Sequence, residues 1–240
     1  AARLDSPILT PETADAPLGV YGTNAEVVLQ GNASIDGQDY NVPSNFNCQG
    51  SGCTGTITTN PVLPGLLSAL TSTVISVSES ASIVPFTQTG GGDYTEDYWE
   101  NLASQLEPLA TITLSEGVVS DQTLGTRDNP EITTVTGNTE ITGTVAGAGI
   151  LIVSKDVEIH VTGNFHYEGI VILLGGGLDY TIEFYEQGNA TIFGAIVGTG
   201  GELDINLQGS PQMLYSSSAI HNIKNLPPQE LSVVYWREIK

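Results

Sequence analysis

Basic side chains are nearly missing from this chain: six Lys and Arg stand against 27 Asp and Glu, a formal net charge of −21. The six (Arg3, Arg127, Lys155, Lys224, Arg237, Lys240) are scattered and form no patch in the sequence. Such a surface repels nucleic-acid phosphates and anionic lipid, so no nucleic-acid partner is expected. Long apolar runs are missing too. The longest, residues 149–153 and 169–174, are far short of a membrane-spanning helix and suit buried strands. No signal peptide is recognisable.

Cysteine is scarce. Cys48 and Cys53 stand in a short Asn/Gln/Gly/Ser loop with no neighbouring Cys or His cluster to complete a zinc site. A Cys48–Cys53 disulfide is the expectation, with free thiols as the alternative. Its six-residue ring would stabilise by only ~2 kcal/mol, so its use would be to pin one loop. A lasting disulfide places the chain in an oxidising compartment.

Glycine is plentiful, with 28 residues, and apolar residues make up 40% of the chain, enough for a sizeable core. Residues 1–25 carry three prolines and read as an extended lead-in. Residues 26–110 read as an α+β module holding the cysteine loop. One helix is expected over 61–77, where Leu63, Leu66, Leu67, Leu70 and Val74 recur at spacings of three and four. A second is expected over 95–109, with Thr95 as N-cap, acidic Glu96 and Asp97 in its first turn, and Tyr98, Leu102, Leu106 and Leu109 on one face.

From residue 111 the pattern changes to short β runs broken by Gly. Gly149, Gly169 and Gly194 each open an aliphatic run and lie 20 and 25 residues apart. A second short run, a turn and a third run follow each. That repeat is the sequence form of a stacked parallel coil, with aliphatic side chains inward and Gly or Asn at corners that need positive φ. An antiparallel sandwich of hairpins is the alternative. The expected fold is mainly β: a right-handed β-solenoid over 111–225, a smaller α+β N-terminal part with one or two helices, and a C-terminal strand in 226–240. Residues 180–187 read as an insertion that widens one coil into a surface bulge. There Tyr180, Phe184 and Tyr185 form a candidate contact surface, since aromatic residues are enriched in interface cores. Within the solenoid runs, the row Ile150, Ile152, Ile170, Ile172 and the row Leu151, Val153, Val171, Leu173 are both apolar, so alternation does not choose which faces inward.

Catalytic chemistry is hard to assemble. His160, His166 and His221 lie near no nucleophile elbow, and His160 and His166, flanking the Gly163-Asn164 turn, read as surface positions on solenoid strands. A lyase base would have to be Arg127, Lys155 or Lys224, none of which sits in an acidic cluster. Asp156, Glu158, Asp179, Glu183 and Asp204 could meet in pairs across coils, as a hydrolase needs, but acidic residues are common enough here for coincidence. Residues 36–39 and 93–97 carry oxygen ligands without a calcium-loop pattern. No enzyme, metal or cofactor is expected.

Three stretches carry a resemblance. Residues 27–40, from Val27-Val28-Leu29 to Gln38-Asp39-Tyr40, precede the cysteine loop. Residues 147–153 lead through Gly163-Asn164-Phe165 and Tyr167-Glu168-Gly169-Ile170-Val171 to residues 190–197. Tyr215-Ser216-Ser217, Ile220 and Trp236-Arg237-Glu238 stand near the end. Together they resemble the soluble ectodomain of PilX-type minor pilins of type IV pilus systems. The resemblance implies a non-enzymatic subunit that primes pilus assembly or sits at the tip and contributes to adhesion. It implies other pilins and assembly proteins as partners, with a host-cell or surface receptor, and a place at the cell surface after inner-membrane anchoring. The anchor would be a leading apolar helix that these residues do not include. A carbohydrate- or ice-binding surface solenoid is the alternative, and a β-helix lyase or hydrolase a further one.

Overall fold

The computed structural model describes residues 11–46, 55–176 and 189–226, and the backbone of 182–186. Cys48, Cys53, Tyr180, Asp179 and the strand expected near the C-terminus lie outside the described residues, as does the start of the lead-in.

The strands run, in chain order, β1 (Leu18–Val20), β2 (Asn24–Leu29), β3 (Ser34–Asp36), β4 (Tyr40–Asn41), β5 (Thr56–Ile57), β6 (Leu66–Ser68) and β7 (Val74–Val77). Then come β8 (Ser82–Val84), β9 (Thr87–Thr89), helix α1 (Glu96–Leu106), β10 (Ile112–Leu114), β11 (Gly117–Ser120), β12 (Thr123–Leu124), β13 (Glu131–Val135) and β14 (Thr139–Thr142). The chain continues through β15 (Thr144–Val153), β16 (Ile159–Val161), β17 (Asn164–Gly175), β18 (Ile182–Glu186), β19 (Asn189–Gly200), β20 (Glu202–Leu207), β21 (Gln212–Leu214) and helix α2 (Ser217–Asn222).

The protein is mainly β, and its sheets are parallel. One sheet follows the order β10-β13-β15-β17-β19-β1-β6-β9 and the other β11-β14-β16-β18-β20-β2-β7. Among the described strands the pair β4–β5 alone is antiparallel. A sandwich of hairpins is therefore excluded. The segment 18–89 does not stand apart: β1 pairs with β19 and β2 with β20, so the early strands extend both sheets beyond the last C-terminal ones.

Three expectations are corrected. Residues 61–77 are not a helix but hold β6 and β7. The leucine spacing that mimics a helix arises because Leu66 enters the core between the sheets while its neighbour Leu67 faces the other way. Part of the expected lead-in is strand, since β1 and the start of β2 lie within it. Residues 182–186 are not a bulge, because β18 pairs in register with β16 and β20 and continues the second sheet.

Both apolar rows of the long strands are buried. Leu151, Val153, Val171 and Leu173 meet Val27, Ile141, Ile159 and Ile205 between the sheets. Ile150, Ile152, Ile170 and Ile172 lie on the other side, under Trp99, Leu102 and Leu106 of α1. A sheet covered on both faces needs near-continuous aliphatic strands, which is what β15 and β17 supply. Helix α1 starts as expected: the Thr95 hydroxyl accepts from Tyr98 N, with Glu96 and Asp97 in the first turn. Its buried face is turned slightly from the expected one, with Trp99 at the centre and Tyr98 and Leu109 only half-buried.

Gly149, Gly169 and Gly194 stand in register across β15, β17 and β19. Their φ angles are 125°, 138° and 131°. A Cβ on Gly169 would lie 2.1 Å from the Gly149 carbonyl oxygen, and one on Gly194 1.9 Å from that of Gly169. Only glycine fits such a column. The column divides the outer face of the first sheet: the aliphatic half beyond it lies under α1, and the half before it carries His166, Glu168 and Phe193.

Candidate functional site

That second half is where the described polar groups converge. His166 and Glu168 are two residues apart on β17 and so share a face. Arg127, from the loop after β12, reaches them from 41 residues away. Its Nε and Nη2 each lie 2.5 Å from a Glu168 carboxylate oxygen, a two-pronged ion pair. His166 Nε2 lies 2.7 Å from the same carboxylate. The Glu168 and His166 side chains are only 3% and 5% exposed. The expectation that the histidines are surface positions is thus corrected for His166. His160 is partly exposed beside Glu158 at 3.8 Å, and His221 lies at the surface against Lys224.

Arg127 also holds a loop. Its Nη1 donates to the Ser44 carbonyl at 3.2 Å and its Nη2 to that of Pro43. Its guanidinium lies 5.7 Å from the Phe46 ring centre, and Phe46 meets the His166 ring edge-on at 5.8 Å. Asn222 of α2 fixes the Arg127 backbone by donating to its carbonyl at 2.7 Å. The loop so gripped leaves β4, and it returns as β5. The β4–β5 hairpin is thereby clamped to a parallel stack from which it differs in direction.

The other side of the hairpin base rests on Asp39, which is buried. Its two oxygens accept from Ser217 N at 2.8 Å, Ser217 Oγ at 2.7 Å and the Asn60 amide. Burial by itself raises the Asp39 carboxyl, but the donors from Asn60, Ser217 and Thr58 outweigh it and hold the group below the usual carboxylate range. Tyr40 donates its hydroxyl to Asp36 at 2.7 Å, and burial followed by that bond raises it well above an ordinary tyrosine. Tyr40 N donates to the Tyr215 carbonyl at 2.9 Å. Gly55 packs so closely on Phe193 that a Cβ there would lie 2.8 Å from its ring. On β5, Ile57, in register with Tyr40, is 55% exposed.

The remaining sequence candidates are dispersed. Arg127 is committed to Glu168. Lys155 sits 3.4 Å from Glu100 on the surface. Asp204 is in register with Glu183 on one side and Glu26 on the other. Asp156 occupies a positive-φ turn. The acidic stretch 36–39 serves the hairpin base, and in 93–97 the backbone N–H groups of Asp93 and Tyr94 bind the Asp15 carboxylate. Of the candidate contact surface, Phe184 and Tyr185 lie in β18. The residues in register with Phe184, Ile159 and Ile205, are buried, and those in register with Tyr185, His160 and Asn206, are partly exposed.

The Arg127–Glu168–His166 cluster was not legible as a site in the sequence. The spacing His166-x-Glu168 on an expected strand puts both on one face and is the signal available. Nothing local points to Arg127.

No protein-family model, no curated protein and no solved structure matches this chain.

Proposed function

We propose that the chain is a right-handed β-solenoid that works without catalysis or cofactor, as a minor subunit of a type IV pilus system, with the β4–β5 hairpin as its contact element. The observation that carries this reading is how the buried charges are used. Arg127, held by the buried Glu168, and the buried Asp39 both grip the base of one hairpin. Burying ionised groups is costly unless they are closely paired, and here the pairing positions the two strands of that hairpin. A stacked scaffold suits that role, because its faces and turns can vary while the aliphatic rows stay constant. The pilus assignment rests on the resemblance of residues 27–40, 147–197 and 215–220 to PilX-type minor pilins. It places the protein outside the cytoplasm, among other pilins and assembly proteins or against a surface receptor. An ice-binding face would want a flat ladder of Thr, and Glu183, Asp204 and Glu26 in register do not resemble one.

The test is complementation. Cells lacking the gene should make fewer surface pili, and the full-length wild-type protein should restore them. Ile57→Glu, at an exposed hairpin position, should fold with an unchanged melting temperature yet fail to restore piliation. Normal piliation without the gene would end the pilus reading. Full rescue by Ile57→Glu would leave the pilus reading standing and remove the hairpin as its contact element.

A further inference from the structure

The stack has two ends, and they differ. At one end lie the outer edges of β7, β8 and β9, which no described strand covers. At the other lie those of β10, β11 and β12. Among the described residues eight large apolar side chains are exposed. Six of them, Val62, Leu70, Val74, Val77, Val84 and Phe86, fall within residues 61–92, between 38% and 56% exposed. The opposite end has Val118 alone.

This end is also poor in charge. Residues 61–92 carry a single charged side chain, Glu79, in a chain with 27 acidic residues. Strands β7, β8 and β9 have none. Natural proteins guard free sheet edges with charges, prolines, bulges or very short strands; this end has short strands and Pro85 after β8, but no charge in its strands. Inner strands of this protein carry Glu26, Glu140 and Asp204, while β7, β8 and β9 carry no charge; β10, β11 and β12 at the opposite end carry none either, but Glu116 and Asp121 flank them.

We propose that this end is a homodimer interface, in which the β6–β9 segments of two copies meet about a twofold axis. Three features select a second copy as the occupant. Two chains of net charge −21 repel each other, so they can approach closely only through a region free of charge, and this end is that region. A basic partner would seek the acidic faces and gain nothing here. The apolar side chains gather at one end only, so a contact of like with like closes on itself as a dimer, whereas head-to-tail stacking would need an equal apolar surface around Val118. A twofold axis sets facing edges antiparallel, a pairing that edge strands accept readily. The inference is independent of the pilus reading.

Sedimentation equilibrium of the whole chain tests it. The expected result is a mass twice the 25.2 kDa of one copy, reached at micromolar concentration and favoured by added salt. Val74→Lys with Val77→Lys should return the single-chain mass with an unchanged circular dichroism spectrum, and Val118→Lys should remain dimeric. If the lysine variant does not fold, hydrogen exchange of the wild type serves instead: amides of residues 74–89 should gain protection as concentration rises. A monomer at every concentration, with exchange independent of concentration, overturns the proposal. So does a growing series of oligomers abolished by Val118→Lys, which would mean head-to-tail stacking. A monomer whose melting temperature falls in the lysine variant would also overturn it, since a segment of the same chain would then cover the edge.

Discussion

At the scale of single residues, Arg127 with the buried Glu168, and the buried Asp39, hold the base of the hairpin. Arg127→Met keeps the bulk of the side chain but leaves Glu168 almost fully buried without its cation. Breaking one partner of such a pair costs about 3–5 kcal/mol. Arg127 is itself a quarter exposed, with 26% of its side chain accessible, so the lower end is expected. Arg127→Met combined with Glu168→Met should be more stable than Arg127→Met alone, because no unpaired carboxylate remains. Urea unfolding of the wild type and the variants reads both outcomes. If the single change costs nothing, the guanidinium does not grip Glu168.

Asp39 makes a prediction about pH. Its carboxyl is held below the ordinary range in the folded protein. Its contribution is therefore complete above the unfolded-state pKa and is lost as pH falls through the folded one. Asp39→Asn should be clearly less stable than the wild type at neutral pH, and the difference should shrink on acidification. A gap that is constant from neutral to strongly acid pH would show that the carboxylate form is not what Ser217 and Asn60 hold.

At the scale of elements, the long strands are the test. Val171 faces the core between the sheets and Ile172 lies under α1, and both are buried. An unpaired carboxylate at either position costs several kcal/mol. Val171→Asp and Ile172→Asp should both lower the melting temperature sharply, the second by way of the contact with Trp99 and Leu106. Loss in one variant only would mean that one face of β17 is free.

The same strands show what could be read without coordinates. Gly149, Gly169 and Gly194 at 20- and 25-residue spacing foretold parallel runs in register, because a column of close backbone contacts admits no other residue. Helix α1 was legible from its cap and its apolar spacing. The choice of face was not, since the protein uses both rows. Residues 61–77 misled because leucines on two sides of short strands imitate a helical stripe, and short apolar runs carry too few residues to separate the two periods. The site was legible only in fragments. Tyr215, Ser216 and Ser217 stood out within a pattern, but their work, holding Asp39 and Tyr40 from 178 residues away, is a long-range contact that no local signal encodes.

At the scale of the whole molecule, the parallel stack and the hairpin are joined by polar contacts and by a small apolar cluster around Phe193. The stack draws its stability from two aliphatic layers. The hairpin's apolar hold is small, Tyr40 and Val42 against Phe193, Leu214 and Ala219, and Arg127 on one side and Asp39 on the other add the polar grip. Regions with few buried apolar contacts open locally well below the free energy of global unfolding. The most direct measurement is hydrogen exchange of wild type and Arg127→Met, followed peptide by peptide. The account predicts that amides over 40–60, including Tyr40 and Thr58, exchange about tenfold or more faster in the variant, a loss of at least ~1.4 kcal/mol in local opening, while β15, β17 and β19 stay the slowest-exchanging strands. Unchanged protection of the hairpin, or an equal loss across hairpin and long strands, would contradict the claim that the buried charges exist to hold that hairpin in place.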